Sequence, residues 1–190
     1  MADCGSDADP RRLLVRRVVV VGSSGSGKTT VARALARRLE AHFVELDALH
    51  HGPNWTEATA AELRDAVTRE LAGRDAWVVD GNYHGKLGDL VLRQTDTVVW
   101  LDLPLRTCLA RLWARTMHRV RTDEELWNGN RETWRGAFWG RDSLFWWTIR
   151  HYRGRRRRWP KRFARLPNST VVRLRTPSEI DRFLASAPPA

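Results

Sequence analysis

The sequence predicts an α/β fold: a five-stranded parallel sheet with helices on both faces and a helical insertion late in the chain. Three observations carry this. Short apolar runs (Val18-Val19-Val20-Val21, Trp77-Val78-Val79 and Thr97 to Leu103) alternate with segments of helical periodicity. A glycine-rich loop from Gly22 to Thr29 joins the first run to the first helical segment. A stretch rich in tryptophan and arginine, about 121 to 166, interrupts the alternation before a last strand and helix resume it.

The elements follow in order. Val15 to Val21 is the first strand, and Lys28 to Glu40 the first helix, with Val31, Leu35 and Leu39 on one face. His42 to Leu46 reads as a second strand ending at Asp47. Glu57 to Leu71 reads as a helix carrying Leu63, Val67 and Leu71. Trp77 to Val79 is a third strand ending at Asp80-Gly81. Lys86 to Arg93 is a short helix and Thr97 to Leu103 a fourth strand. Leu105, Cys108, Leu109, Leu112, Trp113 and Met117 mark a long amphipathic helix, in which Trp113, like Trp100 on the fourth strand, is expected to pack in the core. Thr170 to Leu174 is the final strand, and Pro177-Ser178 opens the last helix.

The 190 residues fit one domain, 15 to 190, preceded by a tail over 1 to 14 and interrupted by a lid-like insertion over about 122 to 166. The formal net charge is +11, which calls for anionic partners. The densest cluster is Arg155-Arg156-Arg157-Arg158. Cys4 and Cys108 make no disulfide framework, and the tail carries no apolar signal core. A reduced, cytoplasmic setting is therefore expected, with no membrane partner.

Gly22-Ser23-Ser24-Gly25-Ser26-Gly27-Lys28-Thr29 fits the phosphate-loop pattern G-x-x-x-x-G-K-[ST], in its required setting of strand, loop and helix. Glycines let the backbone curl until its N–H groups converge on phosphate oxygens, and the following helix, opening through Thr30, aims its positive end at the same anion. Lys28 supplies charge near the β and γ phosphates, and the Thr29 hydroxyl is placed to hold Mg²⁺. ATP and Mg²⁺ are the expected cofactors.

Two carboxylates fall at strand ends, where ligands bind in such sheets. Asp80 has the form of a second acidic motif facing the metal. Asp47 is placed either to accept a proton from an acceptor hydroxyl or to fix that hydroxyl by a hydrogen bond; an ordinary turn aspartate is the plain alternative. Arg111 and Arg115 lie four apart on the long helix and serve either surface ion pairs or a phosphate clamp. His50 and His51 have no metal-site spacing and read as a polar pocket wall, which Asn82, Tyr83 and His84 extend. The interleaved tryptophans and arginines beyond Trp127 suit either a lid or base stacking.

These residues resemble the adenylate-kinase-like branch of the P-loop kinases, a branch of the P-loop NTPase fold. Asp80-Gly81 is similar to the Asp-Gly that ends the third strand of nucleoside monophosphate kinases, and Arg111-Leu112-Trp113-Ala114-Arg115 to their Arg-x-x-x-Arg at the lid entrance. That likeness implies Arg111 beside the nucleotide base and Arg115 reaching phosphates. Asp47 is placed as in shikimate and gluconate kinases, where an acidic residue after strand two meets the acceptor hydroxyl. The strings Leu46-Asp47-Ala48-Leu49-His50, Pro53-Asn54-Trp55 and Trp77 to Tyr83 resemble the bacterial DNA topology modulation (FlaR-like) group. Asn82-Tyr83-His84 replaces the Phe-Pro-Arg with which nucleoside monophosphate kinases hold an acceptor phosphate. The resemblance implies a small-molecule kinase that uses Lys28, Asp47, Asp80 and Arg115 on a nucleotide and a small acceptor. The runner-up is a nucleic-acid-binding ATPase or regulator.

Overall fold

The computed structural model describes residues 16–81, 83–138, 143–166 and 169–186. The tail expected over 1 to 14, Asn82 and Trp139 lie outside them. Five parallel strands, β1 (Arg17–Gly22), β2 (His42–Glu45), β3 (Trp77–Asp80), β4 (Thr97–Leu101) and β5 (Thr170–Leu174), form one sheet in the order β2-β3-β1-β4-β5. The strand that feeds the glycine loop is therefore central, with Asp80 at the end of its immediate neighbour.

Alternation along β1 builds two cores at once. Val18 and Val20 face α1 (Lys28–Arg38), where Val31, Ala32 and Leu35 meet them, with Cys108 and Ile180 in the same cluster. Val19 and Val21 face the opposite layer, with Leu63, Val67 and Leu71 of α3 (Ala60–Leu71) and Phe163. Val20 is fully buried. A valine buried this way stabilises the fold by about 1.5–3 kcal/mol, and burial on both faces is why the strand reads as an unbroken apolar run.

Several boundaries differ from the periodicity. The second strand stops at Glu45, and Leu46–His50 forms α2 instead of extending to Asp47. Leu46 turns inward beneath Gly81, leaving no room for a Cβ at that glycine. The third helical segment starts at Ala60, not Glu57. Thr59 caps it: its hydroxyl accepts from the Glu62 N–H while the Glu62 carboxylate accepts from the Thr59 N–H. The segment expected as one helix from Lys86 splits into α4 (His84–Leu87) and a 3-10 turn, Leu92–Gln94, because Gly88 takes a positive φ of 60°. Trp113 is 51% exposed. The buried face of α5 (Leu105–Thr122) runs through Cys108, Leu112 and Thr116, and Trp113 lies one residue off it, edge-on to Phe138.

The insertion forms a 3-10 turn at Trp127–Gly129, a short α6 (Trp134–Phe138) and the 20-residue α7 (Leu144–Phe163). α7 is anchored to the body by its C-terminal half. Phe163 is buried, and Trp159 and Phe163 meet the Trp100 ring at centroid separations of 5.6 and 5.8 Å. The Tyr152 hydroxyl donates to Leu103 O, and Arg156 pairs with buried Asp102, which Arg173 also holds. α8 (Pro177–Ser186) closes the first layer through Ile180.

Truncating Phe163 removes that anchor. Phe163→Ala is expected to cost about 3–5 kcal/mol, read from the midpoint of urea unfolding. A change within a few tenths of a kcal/mol would show that α7 is not part of the cooperative core.

Candidate active site

The loop between β1 and α1 depends on two glycines. Gly25 takes φ +76°, and a Cβ there would run into the Cys108 carbonyl oxygen; Gly27, the N-cap of α1, takes φ +89°. Side chains are excluded at both positions by backbone conformation, and at the first by the close passage of α5 as well. Ser23 and Ser26 are buried, Ser24 and Thr30 flank them, and Ser26 N donates to Ser23 O at 3.0 Å to close the turn. Lys28 folds back so that Nζ lies 3.4 Å from Ser23 O.

Thr29 and Asp80 meet directly. The Thr29 hydroxyl donates to Asp80 Oδ2 at 2.5 Å across the β1–β3 seam. Asp80 is 3% exposed, and its Oδ1 is buried without a hydrogen-bond partner among the described residues. Burial pushes its pKa up to about 6; Lys28 and the Thr29 hydroxyl oppose the shift, while Asp47 and Glu45 add to it. The two side chains present hard oxygen donors, the set a small divalent cation takes.

Arg111 Nη1 donates to Ser26 O at 3.3 Å, so the helix expected at the lid entrance does reach the loop. Arg115 lies one turn further on. Its Nη2 is 3.7 Å from Glu132 Oε1, and it feels the charges of both Arg119 and Asp47. Glu132 is held more closely by Arg119, at 2.7 Å.

Asp47 occupies the first turn of α2, across from the glycine loop. The Tyr83 hydroxyl donates to Asp47 Oδ1 at 2.7 Å and lies 3.4 Å from His51 Nε2. Burial and the neighbouring Asp47 carboxylate hold Tyr83 firmly in its neutral, donating form. The His51 ring meets Trp55 and Trp127 at centroid separations of 5.4 and 6.0 Å, and the His50 ring lies 4.5 Å from Tyr83. Burial lowers the pKa of both histidines. His84 points elsewhere, toward Gly88 O and Arg162.

Two turns fasten this wall together. Asn130 donates to Gly52 O and Trp127 O and accepts from Trp55 N, while Asn128 donates to His51 O. Neither asparagine stands out in the sequence. The recurring feature is an Asn at positive φ beside a Trp, Asn54 next to Trp55 and Asn128 next to Trp127; Asn130, at φ −73°, does not share it. Arg155 also escaped notice as an individual: it stacks 4.0 Å over the Trp147 ring, lines a cleft with Ser23, Asp102 and Tyr152, and has no carboxylate partner among the described residues. Burial lowers its pKa to about 10.

A glycine loop leading from the central strand into a helix, with a strand-end carboxylate hydrogen-bonded to the loop threonine, defines a P-loop nucleotide-binding protein. The family model for ATPases associated with various cellular activities (AAA) matches residues 18–79, the third of the chain from β1 to β3. The shikimate kinase of Persephonella marina is 30% identical over 110 residues, 51% of this chain and 67% of that protein. A gluconokinase of Gluconobacter oxydans is 54% identical over 52 residues, 27% of this chain and 29% of its own. The structure of a shikimate kinase from Acinetobacter baumannii superposes with a TM-score of 0.55 at 17% identity, covering 90% of each chain. The chain belongs to the P-loop kinases related to shikimate kinase and gluconokinase, a family of ATP-dependent small-molecule phosphotransferases. No described helix is long and apolar enough to cross a membrane.

The raised pKa of Asp80 has a consequence for the metal-free protein. Its carboxyl titrates near 3.8 when unfolded and about 6 when folded. The folded state therefore holds the proton more tightly, and stability falls as pH rises from about 4 through about 6. Above that window the buried charge costs on the order of 3 kcal/mol. Asp80→Asn is expected to raise urea-unfolding stability at pH 8 without added metal and to change it little at pH 3.5. Equal effects at both pH values would contradict this.

Proposed function

We propose that the protein transfers the γ-phosphoryl group of ATP to a hydroxyl of a small acceptor, with the nucleotide on Gly22 to Thr30 and the acceptor between Asp47 and Arg115. The observation that carries this reading is the placement of two carboxylates around one loop: Asp80 against Thr29, and Asp47 held apart from it by Tyr83. The strings Leu46 to His50, Pro53 to Trp55 and Trp77 to Asp80 favour the FlaR-like branch within the family.

The backbone N–H groups of the loop and the Lys28 ammonium take the β and γ phosphates. Arg111 extends the positive charge along α5, and Arg155, without a carboxylate partner among the described residues, adds to it from α7. Thr29 Oγ1 and Asp80 would hold Mg²⁺. The buried, unpartnered Asp80 Oδ1 fits that role, and the ion when bound supplies neutralising charge to the phosphate oxygens. On the other side, Asp47 accepts the proton of the acceptor hydroxyl as its oxygen attacks the γ-phosphorus; the bond to the β,γ-bridging oxygen breaks and ADP leaves. Tyr83 is a positioning residue: its hydroxyl holds one Asp47 oxygen, which leaves the other, without a protein partner among the described residues, for the acceptor.

Lys28→Ala is expected to lower kcat on the order of 10³-fold while circular dichroism and thermal unfolding stay near wild type. Acceptor-dependent ADP release at the wild-type rate in that variant would overturn the assignment. Tyr83→Phe separates positioning from chemistry. It should lower kcat about tenfold or more through misaligned Asp47 and leave KM for ATP unchanged. A rise in KM for ATP with kcat intact would place Tyr83 on the nucleotide side instead.

A further inference from the structure

The acceptor wall is unusual in its charge. Among the described residues, the cations on this side of the site already face carboxylates. Lys86 Nζ lies 2.9 Å from Glu57 Oε2 and 2.8 Å from Ala58 O. Arg119 is held by Glu132 at 2.7 Å and by Glu124 at 3.7 Å. Arg131 pairs with Asp123 and Glu125. Arg115 shares Glu132 and faces Asp47. Burial lowers the pKa of His50 and His51, and His50 Nε2 already lies 3.5 Å from Glu57 Oε2.

The polar atoms left over suit hydroxyls. Asp47 offers its second oxygen. His51 Nδ1 and His50 Nδ1 are buried without a partner among the described residues. Around them stand ring faces: Trp55, 39% exposed, and the half-buried Trp127 flank His51, with Tyr83 beneath. An aromatic wall gains most from a partner with a flat or apolar face of its own.

We propose that the acceptor is an uncharged ring polyol, seated against Trp55 and Trp127 with one hydroxyl at Asp47, and not a hydroxy acid of the kind named by shikimate kinase and gluconokinase. This rests on the kinase reading above. A carboxylate on the acceptor would meet Asp47, Glu57 and Glu132, and among the described residues the cations beside them already face carboxylates: Lys86 would have to leave Glu57, and Arg115 already faces Glu132 and feels the charge of Asp47. A neutral ring meets no such opposition. Its hydroxyls donate to Asp47 and the histidine nitrogens, and its face covers the indoles.

Matched pairs test the charge directly. The full-length protein is given ATP and Mg²⁺ with D-glucose against D-gluconate, myo-inositol against D-glucuronate, and methyl shikimate against shikimate. ADP release is followed, and binding is measured by calorimetry in the presence of a non-hydrolysable ATP analogue. In at least one pair the neutral member is expected to bind, and to exceed the acid by about tenfold or more in kcat/KM. Equal or better use of the acids overturns the inference. Absence of calorimetric binding by every neutral ring also overturns it, because the wall would then not be a polyol site. The kinase reading is judged separately by Lys28-dependent ADP release, which persists if only the charge inference is wrong and is absent if the kinase reading itself is wrong.

Discussion

Asp80 is the constraint on which the rest of the site depends. An ionisable group only 3% exposed, beside the central strand, is expensive unless something answers its charge. The hydrogen bond it accepts from Thr29 ties the end of β3 to the first turn of α1. Lys28 adds a cation from the same turn. The glycine loop is thus fixed at both ends, by the sheet through β1 and by this carboxylate through Thr29. The close passage of α5 behind Gly25 then sets where Arg111 and Arg115 emerge. A shift of β3 by one residue would move Asp80 to the other face and dismantle all of this together.

The nucleotide half was legible in the sequence because its signals are local. Four consecutive valines, three glycines in eight residues and a following Lys-Thr report a strand, a loop and a helix without reference to the rest of the chain. The acceptor half was less so. Asp47 was expected at the end of a strand, but Leu46 to His50 makes a single helical turn, too short for periodicity to show. The Thr59-to-Glu62 capping box was readable and marks the start of α3 more accurately than its apolar spacing. The Asp102 pairs with Arg156 and Arg173 join residues far apart in sequence, as does the Asn130 clip, and no local pattern announces them. Trp113 shows the opposite failure: apolar residues near a helical stripe need not lie on it.

The tryptophan- and arginine-rich segment resolves into distinct environments. Trp159 and Phe163 pack on the sheet, Arg156 answers a buried carboxylate, and Arg155 lies over Trp147. From Leu144 to Phe163 the helix carries eight cations and no carboxylate. Such density would be self-repelling on a free helix; here Asp102 and Asp89, contributed by the body, offset part of it. The composition that suggested a separate binding surface therefore serves in part to attach the helix.

The turns at Trp55 and Trp127 stand far apart along the chain: Trp55 N meets the side chain of Asn130, 75 residues away. Closing a loop of that span carries an entropic cost that must be met before its contacts return anything. The glycine loop rests on β1, α1 and β3, all present in the chain by Asp80, with α5 added behind Gly25. During synthesis the segments that carry the phosphate cradle emerge by Asp80, whereas the contact between the two turns waits for Asn130.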